Sequence, residues 1–181
     1  MNAKFVDEGS IRSLDSRINM TAIVSLRAFV QEMDVHSDQH HAYLNKRTGE
    51  LVTIGDEEID IIESGDNIED YPEWQQEAIR KTQAVVNSVE YLPLPSKFDI
   101  QEYTIMERFC HSRDDREVRE RLLYCIDGAG AFRLFKDAIR EFGIVDDWFS
   151  FRESALEEIA IEWLDANGIQ YTSDDKSKPP T

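Results

Sequence analysis

What most constrains the fold is the punctuation of residues 115–168. Gly128, Gly143 and Gly168 cut this stretch into segments whose apolar residues recur at three- and four-residue steps. That period makes one face of a helix apolar, and a glycine just past the last apolar position ends it. Val118, Leu122, Cys125 and Ile126 form the inward face of the first segment, with Arg116/Glu120 and Glu117/Arg121 as exposed pairs four apart. Phe132, Phe135, Ile139 and Phe142 do so in the second. In the third, Leu156, Ile159, Ala160, Trp163 and Leu164 give an uninterrupted stripe, with Asp146 or Asp147 as its cap. The last two segments therefore predict a C-terminal hairpin of helices.

Upstream, from Thr21, the apolar residues Ile23, Leu26, Phe29, Val30 and Met33 recur at three- and four-residue steps and predict a short amphipathic helix, or one capped by Ser25 and entered from an extended Ala22-Ile23-Val24. Then the period changes. Ala42-Tyr43-Leu44 and Leu51-Val52-Thr53-Ile54 flank a loop in which Gly49 supplies the positive φ of a tight hairpin turn. A two-stranded ribbon is marginal in water, and Val89-Glu90-Tyr91-Leu92 is the candidate third strand. Pro72 suits a helix start, with a stripe of Trp74, Ala78, Val85 and Val89 behind it. Asp99 and Glu102 have the spacing of a capping box ahead of an inward face of Tyr103, Met106, Phe109 and Cys110. The fold class is then α+β, mostly helical, with one hairpin and five or six helices. Residues 1–20 read as a disordered leader, or as upstream of a translation start at Met20. One globular domain spans 21–170 with an acidic connection over 55–71, and 171–181 read as a disordered tail.

Charge narrows the function. The formal net charge is −17, and the stretch from Gly55 through Glu73 holds nine acidic side chains and no Lys or Arg. Such a field repels nucleic-acid backbones and anionic membranes and favours a basic protein partner. Asp66, Asn67, Glu69 and Asp70 do not follow the ligand order of an EF-hand, so this stretch reads as a solvated loop. Cys110 and Cys125 fall within apolar helical patterns, as small buried hydrophobes in a reducing compartment do. No apolar signal core occurs near Met1 and no uncharged run reaches the about 20 residues of a membrane span, so the expected location is the cytoplasm.

Several motifs together carry a resemblance. Leu94-Pro95-Ser96-Lys97-Phe98-Asp99, Gly128-Ala129-Gly130-Ala131-Phe132-Arg133-Leu134-Phe135-Lys136-Asp137 and Trp148-Phe149-Ser150-Phe151-Arg152, with Tyr103–Phe109 and Ile159–Leu164, resemble a bacterial uncharacterised protein family of the UPF class. The likeness runs from about Val24 to Ile169. It implies one continuous domain and no particular activity.

Two places can bind something. Gly128 and Gly130 precede a helix whose first amides are unpaired, and Arg133, Lys136 and Arg140 form a cationic row along it. A phosphate or carboxylate ligand is the functional reading. The structural reading is a helix stop at Gly128, a tight helix crossing at Gly130 and Arg133 paired with Asp137. Trp148, Phe149 and Phe151 cannot all face one core, so Trp148 and Phe149 are the candidate partner-binding aromatics.

No metal or cofactor is expected. The spacing of His36, His40 and His41 would serve a metal only on a helix, yet they fall in the turn leading into the hairpin, and Cys110-His111 diverge on a helix. The carboxylate pairs Asp146/Asp147 and Glu157/Glu158 likewise point apart on a helix. The sequence thus favours a binding role over an enzymatic one. The leading expectation is an acidic interaction or regulatory protein with a basic partner. The alternative is a small-molecule module holding an anion at the Gly130 helix start, and a third reading is mimicry of the DNA charge pattern.

Overall fold

A computed structural model describes residues 22–35 and 39–173. The leader over 1–20, the Met20 start and His36 lie outside the described residues, as does most of the tail. Ser25 caps α1 (Leu26–Asp34) as the sequence predicts, its hydroxyl accepting from the Ala28 amide at 3.1 Å. The hairpin pairs β2 (His40–Asn45) with β3 (Leu51–Gly55), Ala42 opposite Thr53 and Tyr43 opposite Val52. Its turn is tied by the Asn45 side-chain oxygen, which accepts from the Arg47 and Thr48 amides, and Gly49 sits at φ 76°.

The third strand is present but two residues later than expected. It is β4 (Tyr91–Pro93), antiparallel to β2 on the side away from β3. Val89 is exposed and outside it. Pro93 is tolerated because this is an edge strand, where a missing N–H costs nothing. A separate parallel pair joins β1 (Ile23–Ser25) to β5 (Gln170–Thr172), with Val24 opposite Tyr171. The expected tail at 171–181 therefore begins inside a strand, held by pairing to β1 and by a half-buried Tyr171 against the core.

The acidic connection expected over 55–71 is largely helical. It forms α2 (Asp56–Ser64) and a single turn of tighter helix at Ile68–Asp70. Asp56, Glu57 and Glu58 fall in the first turn of α2, where carboxylates are favoured by the helix dipole, and Ile61 is buried. The next helix is α3 (Glu73–Val86), and its buried face is one residue out of phase with the expected stripe. Gln75, Ile79, Thr82 and Val85 face in, whereas Trp74 and Val89 are exposed. Gln75 tolerates burial because its amide donates to Glu57 at 3.0 Å.

The capping box is also shifted by one helical turn. Ser96 and Asp99 form it at the start of a one-turn α4 (Lys97–Ile100), and α5 (Glu102–His111) follows with Ile105, Met106, Phe109 and Cys110 buried. Tyr103, expected to face in, is half exposed. Then come α6 (Arg116–Ile126), capped by the Asp115 carboxylate, and the helical hairpin α7 (Ala131–Glu141) and α8 (Val145–Ala166). Arg116 and Glu120 pair at 2.8 Å as their spacing implies.

The architecture is mostly helical α+β, with α2 and α4 added to the expected helices. Alternation along β2 divides the apolar residues between two clusters. Ala42 and Leu44 join the main core with α1, α5, α6, α7 and α8. Tyr43 turns the other way, onto a small cluster of Val52, Ile54 and Val85 under α2 and α3. The charge does not simply follow this division: α2 on the sheet side and α8 in the main core are both acidic, α3 is balanced, and the cationic row lies on α7.

Candidate functional site

The site begins with the packing of three aromatic rings. Phe109 of α5, Phe135 of α7 and Trp148 of α8 meet edge to face, with centroids 6.0 Å (Phe109–Phe135), 5.2 Å (Phe109–Trp148) and 4.8 Å (Phe135–Trp148) apart. Such pairs add about 0.5–1.5 kcal/mol each beyond the area they bury. They fix the angle between the helices. Trp148 is consequently only 5% exposed, which corrects its assignment as a partner-binding aromatic. Phe149, one position on and about 100° around the helix, is 59% exposed.

Between α5, α7 and the first turns of α8 these helices leave a cavity of about 390 Å³. Met106, Phe135, Ile139 and Trp148 give it an apolar lining, and the half-exposed Phe132 and Phe149 stand at it as well. Lys136 and Arg140 line the α7 side one turn apart. Arg152 and Glu102 line the α5–α8 side. In a chain of net charge −17, a cavity with three cationic residues and one acidic residue in its lining is a local inversion of the field.

The cations are not equivalent. Arg152 is locked, its guanidinium donating to Glu102 at 2.7 and 3.1 Å and to Asp34 at 2.6 and 3.0 Å. These bonds raise its already high pKa, chiefly through Asp34 and against the opposing effect of burial. It therefore ties α8 to α1 and α5. Arg140 makes one exposed contact, 3.3 Å to Asp137, in place of the expected Arg133–Asp137 pair. Exposed pairs of this kind contribute little and are readily exchanged for a ligand.

The structure brings together Lys136, Arg140, Trp148 and Phe149, which the sequence distributes between two separate sites. Gly128, Gly130 and Arg133 are not in the lining. Gly130 caps α7 at φ 82°, and a side chain added there would meet no atom within 4 Å, so a left-handed turn, not a tight helix crossing, explains it. Glu102, Met106, Phe132 and Arg152 are lining residues to which sequence reasoning gave no site role. The Trp148–Arg152 spacing of four on one helix was the available signal.

Elsewhere the chemistry is quiet. His40 and His41 are neighbours on β2 and point to opposite faces, and His41 Nε2 lies 2.7 Å from Asp56. Among the described residues no three His, Cys, Asp or Glu side chains are arranged to hold a metal ion. Cys110 is fully buried and its thiol is pushed up to about 12 by burial. Asp147 pairs with Arg113 at 3.0 Å. Among the described residues no helix is long and apolar enough to cross a membrane.

Fold and site together define a mostly helical α+β protein with a cation-rimmed aromatic cavity at its helical hairpin. No curated protein and no solved structure matches the chain. The chain belongs to an uncharacterised protein family, UPF0158, whose model matches residues 20–181.

Proposed function

We propose that the protein is a cytoplasmic binding module, and that the cavity between α5, α7 and α8 holds an organic anion with an apolar body. One observation carries this reading: an aromatic lining with two exposed cations, Lys136 and Arg140, on the α7 side. An apolar pocket with a few convergent charges is the usual form of a small-molecule site. The anion site expected at the start of α7 is thereby moved about two to three turns along the same helix. The test is a thermal-shift screen of aromatic and aliphatic carboxylates and phosphates. Stabilisation that vanishes in the double variant Lys136→Glu/Arg140→Glu is the expected result. A screen in which no anion stabilises the wild type overturns the reading.

A second reading keeps the basic protein partner but relocates it. Phe149 stands beside cations, which disfavours a basic partner there. Trp74, 73% exposed, instead sits among Glu69, Asp70, Glu73 and Glu77, where an exposed aromatic and complementary charge suit a basic surface. Affinity capture at low and moderate salt tests it. A basic partner released by salt and lost in Trp74→Ala supports this role, and capture unchanged by that substitution removes Trp74 from it.

A further inference from the structure

We infer that the ligand of the α5–α7–α8 cavity is a small hydrophobic monocarboxylate, and not a phosphate ester, a nucleotide or a peptide. This rests on the reading of the cavity as an organic-anion site and names the chemistry of its occupant.

The charge of the head follows from what is available to neutralise it. Phosphate dianions are held where several backbone amides converge, as at a helix N-terminus, or by several cations. The amino end of α7 at Gly130 is not in the lining, and Arg152 is committed to Asp34 and Glu102. That leaves Lys136, and Arg140 once it exchanges Asp137 for the ligand. Glu102 faces the same cavity from the α5 side. Glu102 and the acidic chain repel a dianion twice as strongly as a monoanion and the two cations attract it twice as strongly, so the discrimination comes from the lack of converging amides and further donors that a phosphate's oxygens need. A carboxylate lying between Lys136 and Arg140 matches one charge with two donors.

The body follows from the lining. Met106, Phe135, Ile139, Phe132 and Phe149 offer no hydrogen-bonding groups, and the Trp148 indole offers one donor and no acceptor. Arg152 and Glu102 spend their bonds on one another and on Asp34. A nucleobase or peptide backbone buried here would leave donors and acceptors unpaired, at about 1–3 kcal/mol for each group. A hydrocarbon ring leaves none. The volume of about 390 Å³ suits a body of one or two rings.

The experiment is titration calorimetry of the full chain near neutral pH with four probes: hydrocinnamate, its neutral amide, phenethyl phosphate and the peptide Gly-Gly-Phe. Hydrocinnamate is expected to bind at least about tenfold more tightly than each of the others, a difference of about 1.4 kcal/mol. Lys136→Gln/Arg140→Gln should remove that preference over the amide while leaving the melting temperature in place, since both side chains are exposed. Equal or tighter binding of phenethyl phosphate or of the peptide overturns the inference and leaves the organic-anion reading standing. Equal binding of the amide and the acid overturns both, as does a failure of hydrocinnamate and phenethyl phosphate alike to bind.

Discussion

Single residues carry two properties that can be measured without knowing the ligand. Cys110 is enclosed by the core, and burial pushes its thiol up to about 12, so the reactive thiolate is scarce at neutral pH. Cys125 is buried as well. Native protein is expected to react with a thiol reagent at least about a hundredfold more slowly than the unfolded chain, both cysteines becoming available together on denaturation. Rapid labelling of the native state would show that the core opens around α5. Asp99 works in the opposite direction. The Ser96 hydroxyl and then the Ser96 amide donate to its carboxylate at 2.7 and 2.8 Å, holding its pKa below the ordinary value. A carboxyl whose folded pKa is depressed contributes stability above its unfolded pKa and loses it as pH falls through the folded one. Asp99→Ala should therefore cost about 0.5–1 kcal/mol at neutral pH, where the cap is charged. The gap to wild type should close in acid, once the pH has fallen through the depressed folded-state pKa and the carboxyl is protonated. Denaturant melts at the two pH values check both the size and the sign.

Elements were legible wherever a local rule decides them. Ser25 and Asp115 act as helix caps because their oxygens reach amides within the next three residues, and no distant part of the chain is needed. The hairpin is equally local. At Gly49 two demands coincide, a φ of 76° and an Ala22 side-chain carbon 3.1 Å from where a Cβ would stand. Gly49→Ala should cost about 1–2 kcal/mol, from the left-handed conformation together with that contact. A thermal melt should show this as a fall of at least about 3 °C. An unchanged melting temperature would mean that the turn relaxes away from β1. Illegible features were those set by partners far along the chain. The phase of α3 depends on Gln75 finding Glu57 of α2, and the choice of Trp148 over Phe149 as the buried ring depends on Phe109 of α5. Periodicity ranks neither. The convergence of Lys136 and Arg140 with Trp148 and Phe149 was closer to hand. An antiparallel hairpin turning at Gly143 brings the end of α7 against the start of α8, so the two candidate sites were neighbours once the hairpin was read.

On the scale of the whole molecule the carboxylates concentrate on two helices, α2 with five and no cation and α8 with seven against Arg152, while the α7 cations stand beside the cavity. This concentration has a cost. Glu63 lies in the last turn of α2, where the helix dipole disfavours an anion, and exposed Asp60, Asp66, Glu69 and Asp70 lie within seven positions of it along the chain. Tyr71 registers this field: its hydroxyl donates to Asp66 at 2.9 Å, and its pKa is raised by that bond first, then by desolvation, with Asp66, Asp70 and Glu57 adding to it. Because the screening length contracts from about 30 Å to about 8 Å between about 10 mM and about 150 mM salt, added salt should relieve this repulsion and raise the melting temperature. Asp60→Lys/Glu63→Lys should be more stable than wild type at the lower salt, by about 0.5 kcal/mol or more, and should respond less to added salt. A melting temperature independent of salt would show that the acidic face costs the fold nothing. The expected stabilisation would instead show that folding alone does not account for these carboxylates. In that case the same variant should weaken capture of a basic partner while leaving hydrocinnamate binding at α7 unaltered, which separates the two faces of the molecule in one experiment.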